Sequence, residues 1–288
     1  MPIRLLALLL LLAALVGCET EPLKRVGNNV PPPDTLYSSE EVNLYVNKLY
    51  INLLGRKPLD NELSQALATI GASNLSPASR VAVFNSIIIQ REYAQRVFDI
   101  LWAEHLNNVD TAFIKFEIGA QQNFLFQNPG SPIKTEIEKS IDRMQMLMRI
   151  PRDIHARTLN QQDAFKRTIN NYFYDQVNMG TENFVRATFE AFFLRAPTAA
   201  ELQTGVSMCE GYTSVLFLRE GASKEDYMNI LLTSGEFYQG QVINLYLRYF
   251  LRRPTNDEAR SLSAQYAASR DYIQLQRSLL TSDAYVRQ

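Results

Sequence analysis

Three short stretches of this chain share one outline. They read "LLGRKPLDNE" (Leu53–Glu62), "FFLRAPTAAE" (Phe192–Glu201) and "YFLRRPTNDE" (Tyr249–Glu258). Each carries a proline, Pro58, Pro197 or Pro254, with an arginine two residues before it and a glutamate four residues after it. The pairs are Arg56 with Glu62, Arg195 with Glu201, and Arg252 with Glu258. Eight residues ahead of each proline stands an aromatic: Tyr50, Phe189 or Tyr246. A proline disfavours helical geometry in the residue before it, so each stretch stops one helix and lets another begin. Recurrence on this scale marks stacked supersecondary units and points to a helical-repeat fold.

Local physics accounts for each part of the signature without invoking chemistry. Ahead of Pro58, the apolar positions Val42, Tyr45, Val46, Leu49, Tyr50, Leu53 and Leu54 form one stripe along a helix. Ser38 and Glu41 have the spacing of a capping box at its start. Thr198 with Glu201 and Thr255 with Glu258 repeat that spacing after the proline, so the glutamate is expected to satisfy free N–H groups at a helix start. Leu59 replaces the threonine in the first copy, and Asp60 is expected to take over the cap. The arginine is expected to reach across the bend to the glutamate or to the last carbonyls of the first helix.

Each unit has a second half: "SRVAVFNSIIIQREYAQR", "SKEDYMNILLTSGEFYQG" and "RDYIQLQRSLLTSDAYVRQ". An apolar helix runs through Ile87-Ile88, Leu231-Leu232 or Leu279-Leu280 to an aromatic, Tyr93, Phe237 or Tyr285. Proline-to-aromatic distances are 35, 40 and 31 residues, as expected of a packed unit with a variable loop. The outline from Leu53-Leu54-Gly55-Arg56-Lys57-Pro58 and Glu62 to "IIIQREYAQRVFDILWAEHL" resembles the planctomycete-type, cytochrome-associated domain of unknown function. It is also similar to the phycobilisome-linker-like helical repeat. Neither resemblance implies a catalytic residue, and haem in the first family implies Cys-x-x-Cys-His segments that this chain lacks.

The chain opens "MPIRLLALLLLLAALVGCET", where Arg4 precedes an apolar run from Leu5 to Leu15. That run is shorter than the roughly 20 residues a membrane helix needs and suits a secretory signal. Leu15-Val16-Gly17-Cys18 resembles a bacterial lipobox, implying cleavage and acylation of Cys18, with membrane attachment through the lipid. Glu19 in place of aspartate implies the outer membrane, so the expected location is the cell envelope, on its periplasmic face or surface. The proline-rich stretch after Cys18, with Pro31-Pro32-Pro33, reads as an extended tether. Without residues 1–17, 28 basic and 30 acidic residues remain, a balance with no general pull toward nucleic acid. Cys209 is then the one cysteine left besides Cys18, which excludes an intrachain disulfide, and its surroundings read as core.

Residues 107–183 do not follow the repeat. Asn128-Pro-Gly-Ser-Pro132 is a break, after which Ile133, Ile137, Ile141, Met144 and Met148 keep helical spacing as far as Pro151. Within "NNYFYDQVNMGTENF", residues Tyr172, Tyr174, Asp175, Asn178 and Asn183 form a candidate polar-aromatic patch for a glycan or peptide. The competing reading has the rings docking this connector while the amides cap turns around Gly180. No Gly-x-Gly, Gly-Lys-Ser/Thr or Gly-x-Ser-x-Gly motif occurs. His105 and His155 have no metal-ligand spacing, so neither a metal nor a cofactor is expected. His105 is expected to end a helix beside Trp102, and Glu104 beside it would need a partner and a pocket to act as an acid or base.

The expected fold is all-α with negligible strand content: three helix-turn-helix modules and a helical insert between the first and second. The divisions are signal 1–17, tether 18–38, module one 39–107, insert 108–183, module two 184–240 and module three 241–288. The expected function is non-catalytic, as a scaffold or subunit binding another envelope protein. The alternative is a lipoprotein binding polysaccharide or peptidoglycan through Asn170–Phe184.

Overall fold

Ser38 starts the first helix, α1 (Ser39–Leu54), by accepting a hydrogen bond from the Glu41 amide while the Glu41 carboxylate accepts one from the Ser38 amide. The computed structural model describes residues 36–288; the signal, Cys18 and the tether up to residue 35 lie outside the described residues. Residues 37–288 form one unit. The seven apolar residues of the α1 stripe are all buried.

The chain then leaves the helix through a residue in left-handed geometry, and it does so at every bend. Gly55 has φ 78°, Leu194 φ 58° and Leu251 φ 53°. A leucine there costs about 1 kcal/mol that a glycine does not, so the contacts that follow must hold two of the three bends in place. After the first bend come α2 (Asp60–Ile70), α3 (Pro77–Ile88) and α4 (Arg91–Leu106). The insert holds α5 (Thr111–Gln127), α6 (Lys134–Met148), α7 (Ile150–His155), α8 (Gln161–Ile169) and α9 (Tyr172–Val177). The second unit follows with α10 (Thr181–Phe193), α11 (Ala199–Cys209), α12 (Lys224–Leu232) and α13 (Gly235–Phe250). The third adds α14 (Asn256–Ser269), α15 (Tyr272–Leu280) and α16 (Asp283–Val286).

The chain is all-α, with one addition to the sequence reading. The loop of the second unit holds a two-stranded antiparallel hairpin, β1 (Ser214–Leu216) and β2 (Arg219–Gly221), pairing Val215 with Glu220. At three residues per strand it is too short for alternation to reveal. The division at 240/241 falls within α13, which closes the second unit and opens the third. Asp60 does not cap α2: Leu59 is the N-cap residue, and only the Glu62 half of the box is present, its carboxylate accepting from the Leu59 amide at 2.7 Å.

Gly240 shows how closely the second unit is packed. A Cβ there would lie 1.9 Å from the carbonyl oxygen of Phe192, so α10 and α13 cross at a distance only glycine permits. Polar contacts join the first unit to the third. The Tyr45 hydroxyl donates to the Leu280 carbonyl at 3.2 Å, Lys48 Nζ to the Tyr285 carbonyl at 2.8 Å, and Asn52 Nδ2 to the Tyr285 hydroxyl at 2.6 Å. Deeper in, the Tyr93 hydroxyl donates to Gln276 Oε1, and Gln276 Nε2 donates to the Tyr249 hydroxyl at 2.7 Å.

Candidate functional site

The six charged residues of the bends stay at their own bends. Arg56 makes two parallel hydrogen bonds to Glu62 at 2.7 and 2.9 Å, Arg195 to Glu201 at 2.8 and 2.7 Å, and Arg252 to Glu258 at 2.8 and 2.7 Å. Each arginine also donates to the next residue's carbonyl, of Lys57, Ala196 or Arg253, and not to the last carbonyls of the preceding helix. Each glutamate accepts from the amide of the following helix's N-cap residue. These bonds from arginine hold the Glu201 and Glu258 carboxyls down to about 2. In the second and third copies the recurring aromatic lies beneath the arginine: Arg195 is over Phe189 at 5.1 Å and Arg252 over Tyr246 at 5.0 Å.

Sequence reading missed a third participant. Arg56 also binds Glu92 (Nε to Oε2, 2.8 Å) at the start of α4, and Arg195 binds Glu236 (Nη2 to Oε2, 2.8 Å) at the start of α13. These acids directly precede the aromatic of each second half, Tyr93 or Phe237; in the third copy that position is Ala284, before Tyr285. Each of the first two arginines therefore ties its bend to the helix that closes the unit.

The candidate residues of the connector do not form an aromatic platform. Tyr174 is 2% exposed, with its ring edge-on to Phe184, and Tyr172 is half-buried. Asn178 Nδ2 donates to the Tyr174 carbonyl at 3.1 Å, and Asn183 Nδ2 to the Met179 carbonyl at 2.8 Å. Asp175 pairs with Lys224 at 2.6 Å. The rings dock and the amides secure turns on either side of Gly180, whose φ is 88°. Asp175 and Asn178 do line an open hollow of about 250 Å³ with Phe184, Cys209 and Lys224. Burial pushes the Cys209 thiol up to about 12, keeping it protonated.

His105 and Glu104 line a small central cavity between α4, α10, α13 and α15. His105 is 5% exposed, among the rings of Phe165, Tyr174 and Phe192. The Thr168 hydroxyl donates to the Phe165 carbonyl, so at the 2.7 Å contact His105 Nδ1 is the donor and Nε2 carries the lone pair. Burial lowers this imidazole to about 4, so at neutral pH it is an uncharged donor rather than a cation. Glu104 accepts from Arg248 at 2.6 Å; burial raises its carboxyl and Arg248 opposes the rise. It is the one carboxylate lining this cavity among the described residues. No group of three or more His, Cys, Asp or Glu among the described residues could hold a metal.

The largest departure from a self-contained fold is α5. Ile114 is buried and Ile118 and Leu125 are half-buried, which defines its inner stripe. The opposite side carries Phe113, Phe116, Ala120 and Phe124, all exposed, with Phe116 at 68%. Phe113 and Phe116 stack nearly parallel, centroids 6.4 Å apart. At the tip toward α6, Phe126 is 86% exposed and Ile133 is also exposed. A helix apolar on all sides is normally buried. Here the outer stripe presents on the order of 300 Å² of ring surface to solvent. The signal was in "TAFIKFEIGAQQNFLFQ", where two apolar stripes at helical spacing run along one short segment.

Comparison of the chain with known family models, curated proteins and solved structures finds no match. The two family resemblances therefore rest on their short motifs.

Proposed function

We propose that this chain is a lipid-anchored protein of the bacterial cell envelope that acts as a non-catalytic scaffold, holding a partner protein on the outer face of α5. One observation carries the reading: a helix with a satisfied inner stripe bears a second, solvent-facing row of phenylalanines. Aromatic rings on a rigid helix are the usual energetic anchors of a protein interface. The signal and Cys18 support attachment to a membrane, with the tether as spacer. Among the described residues no helix is long and apolar enough to cross one.

The test has two parts, both in cells of a diderm bacterium. Labelled palmitate should enter the wild-type chain and not Cys18→Ala. A photo-crosslinking residue at Phe116 should capture one discrete envelope protein, and Phe126→Asp with Phe124→Asp should abolish that capture at unchanged melting temperature. Capture of lipid alone, or capture unaffected by the aspartates, would refute the docking face. Glycan binding is the second reading, supported by the hollow beside Asp175 and Asn178. It requires sedimentation with peptidoglycan that Lys224→Glu weakens.

A further inference from the structure

The two helices of the insert's first hairpin meet solvent in opposite ways. On α6, Lys134, Glu136, Glu138, Lys139, Asp142 and Arg143 are all exposed, the usual outer face of a surface helix. On α5, which packs mainly against α6, the outer face is aromatic. No charged residue occurs from Ile118 to Ile133. Glu117 is engaged by Gln121 Nε2 at 3.0 Å, and Lys115 lies about 140° round the helix from Ala120. A helical hairpin with an apolar outer face is completed by a further layer of helices.

The outer row is complementary to itself. Phe116 and Phe124 stand four residues to either side of Ala120, and Phe113 and Gln127 seven. At about 100° per residue, Phe116 and Phe124 lie about 40° to opposite sides of the line through Ala120, and Phe113 and Gln127 about 20°. A two-fold axis passing beside Ala120, perpendicular to the helix, places a second copy of α5 antiparallel to the first. Each Phe116 then falls beside the other copy's Phe124, and each Phe113 beside its Gln127, side by side rather than head-on. Ala120 meets its own counterpart at the axis, and so small a residue lets the helices approach to about 8–10 Å. Space is free there, since a Cβ on the adjacent Gly119 would touch nothing.

We infer that the occupant of the α5 face is a second copy of this chain, paired antiparallel about that axis. The inference rests on the docking face proposed above and names its partner. Pairing removes on the order of 1,000 Å² from solvent across both copies, the lower end for a specific interface. A face without charge neither repels its own copy nor selects a protein of opposite charge. Anchoring both copies to one membrane raises their effective concentration, which a contact of this size needs.

The experiment uses the anchored chain in cells, expressed as two differently tagged copies with Cys209→Ser. Under a mild oxidant, Ala120→Cys should join the two tags through a disulfide, because the axis brings that position against itself. Gln122→Cys, about 160° round the same helix, should not. Phe116→Asp added to Ala120→Cys should abolish the disulfide. Because these variants can perturb the helix, a photo-crosslinking residue at Phe116 in the otherwise unaltered chain supplies a second measurement. It should give a doubly tagged product with its attachment point in α5 near Phe124. A product containing a different envelope protein and no doubly tagged species would overturn the second copy while leaving the docking face standing. Equal disulfide yields from Ala120→Cys and Gln122→Cys, or attachment outside α5, would overturn the antiparallel pair. Capture of lipid alone would overturn both readings.

Discussion

Acidification from pH 7 to 5 should weaken this protein through His105, a single buried group. Its pKa is 6.5 when exposed and about 4 in the fold. A group depressed on folding binds more protons in the unfolded chain, so its contribution is complete above about pH 6.5 and is lost as pH falls toward about 4. At pH 5 the unfolded imidazole is almost fully protonated and the native one about a tenth protonated. With about 1.36 kcal/mol per unit, the loss between pH 7 and 5 is about 2 kcal/mol. For a chain of this size that corresponds to a fall in melting temperature of about 4–8 °C. The assay is urea unfolding at half-unit steps from pH 7.5 to 4.5, for the wild type and His105→Gln, which keeps a donor for Thr168. Glu104 and every other titrating group are common to both proteins, so the difference in slope isolates His105. Parallel stability curves would show that the imidazole is not held neutral and would refute the burial argument.

Three further outcomes follow from the packing and the bends. Gly240→Ala should destabilise by about 3 kcal/mol or more, since backbone rather than a movable side chain stands in its way; calorimetry checks this, and a loss under about 1 kcal/mol would mean that α10 can retreat. Arg195→Ala should cost about 2 kcal/mol and Arg252→Ala about 1, because Arg195 grips Glu201 and Glu236 whereas Arg252 grips Glu258 alone; equal losses would deny the third participant any role. The Glu201 and Glu258 contributions should be complete above about pH 4.5 and disappear as pH falls toward about 2, a lower window than that of His105. Arg195→Ala should flatten the acid limb there, and an unaltered limb would count against the paired carboxylates.

The helices were legible wherever one face had to be buried and a cap had to be made. Pro58, Pro197 and Pro254 marked the bends because a proline acts on its immediate neighbour, and capping residues act within a turn. Glu92 and Glu236 were not legible as partners of Arg56 and Arg195, because the contacts span 36 and 41 residues and depend on how a unit closes. The same limit hid the cavity, whose lining comes from α1, α4, α8, α10, α13 and α15 and is assembled only when they pack. Tyr174 was open between a surface patch and a docked ring. A tyrosine among amides reads as a surface until the fold shows Phe184 and His105 against it.

Because α13 ends one repeat and begins the next, its sixteen residues belong to two modules at once. A cut or an insertion at either of its edges would deprive one module of a wall, so these two modules cannot be shuffled, duplicated or melted separately. Growth or loss in this lineage would have to proceed in steps of three helices, each step borrowing its first helix from the module already in place.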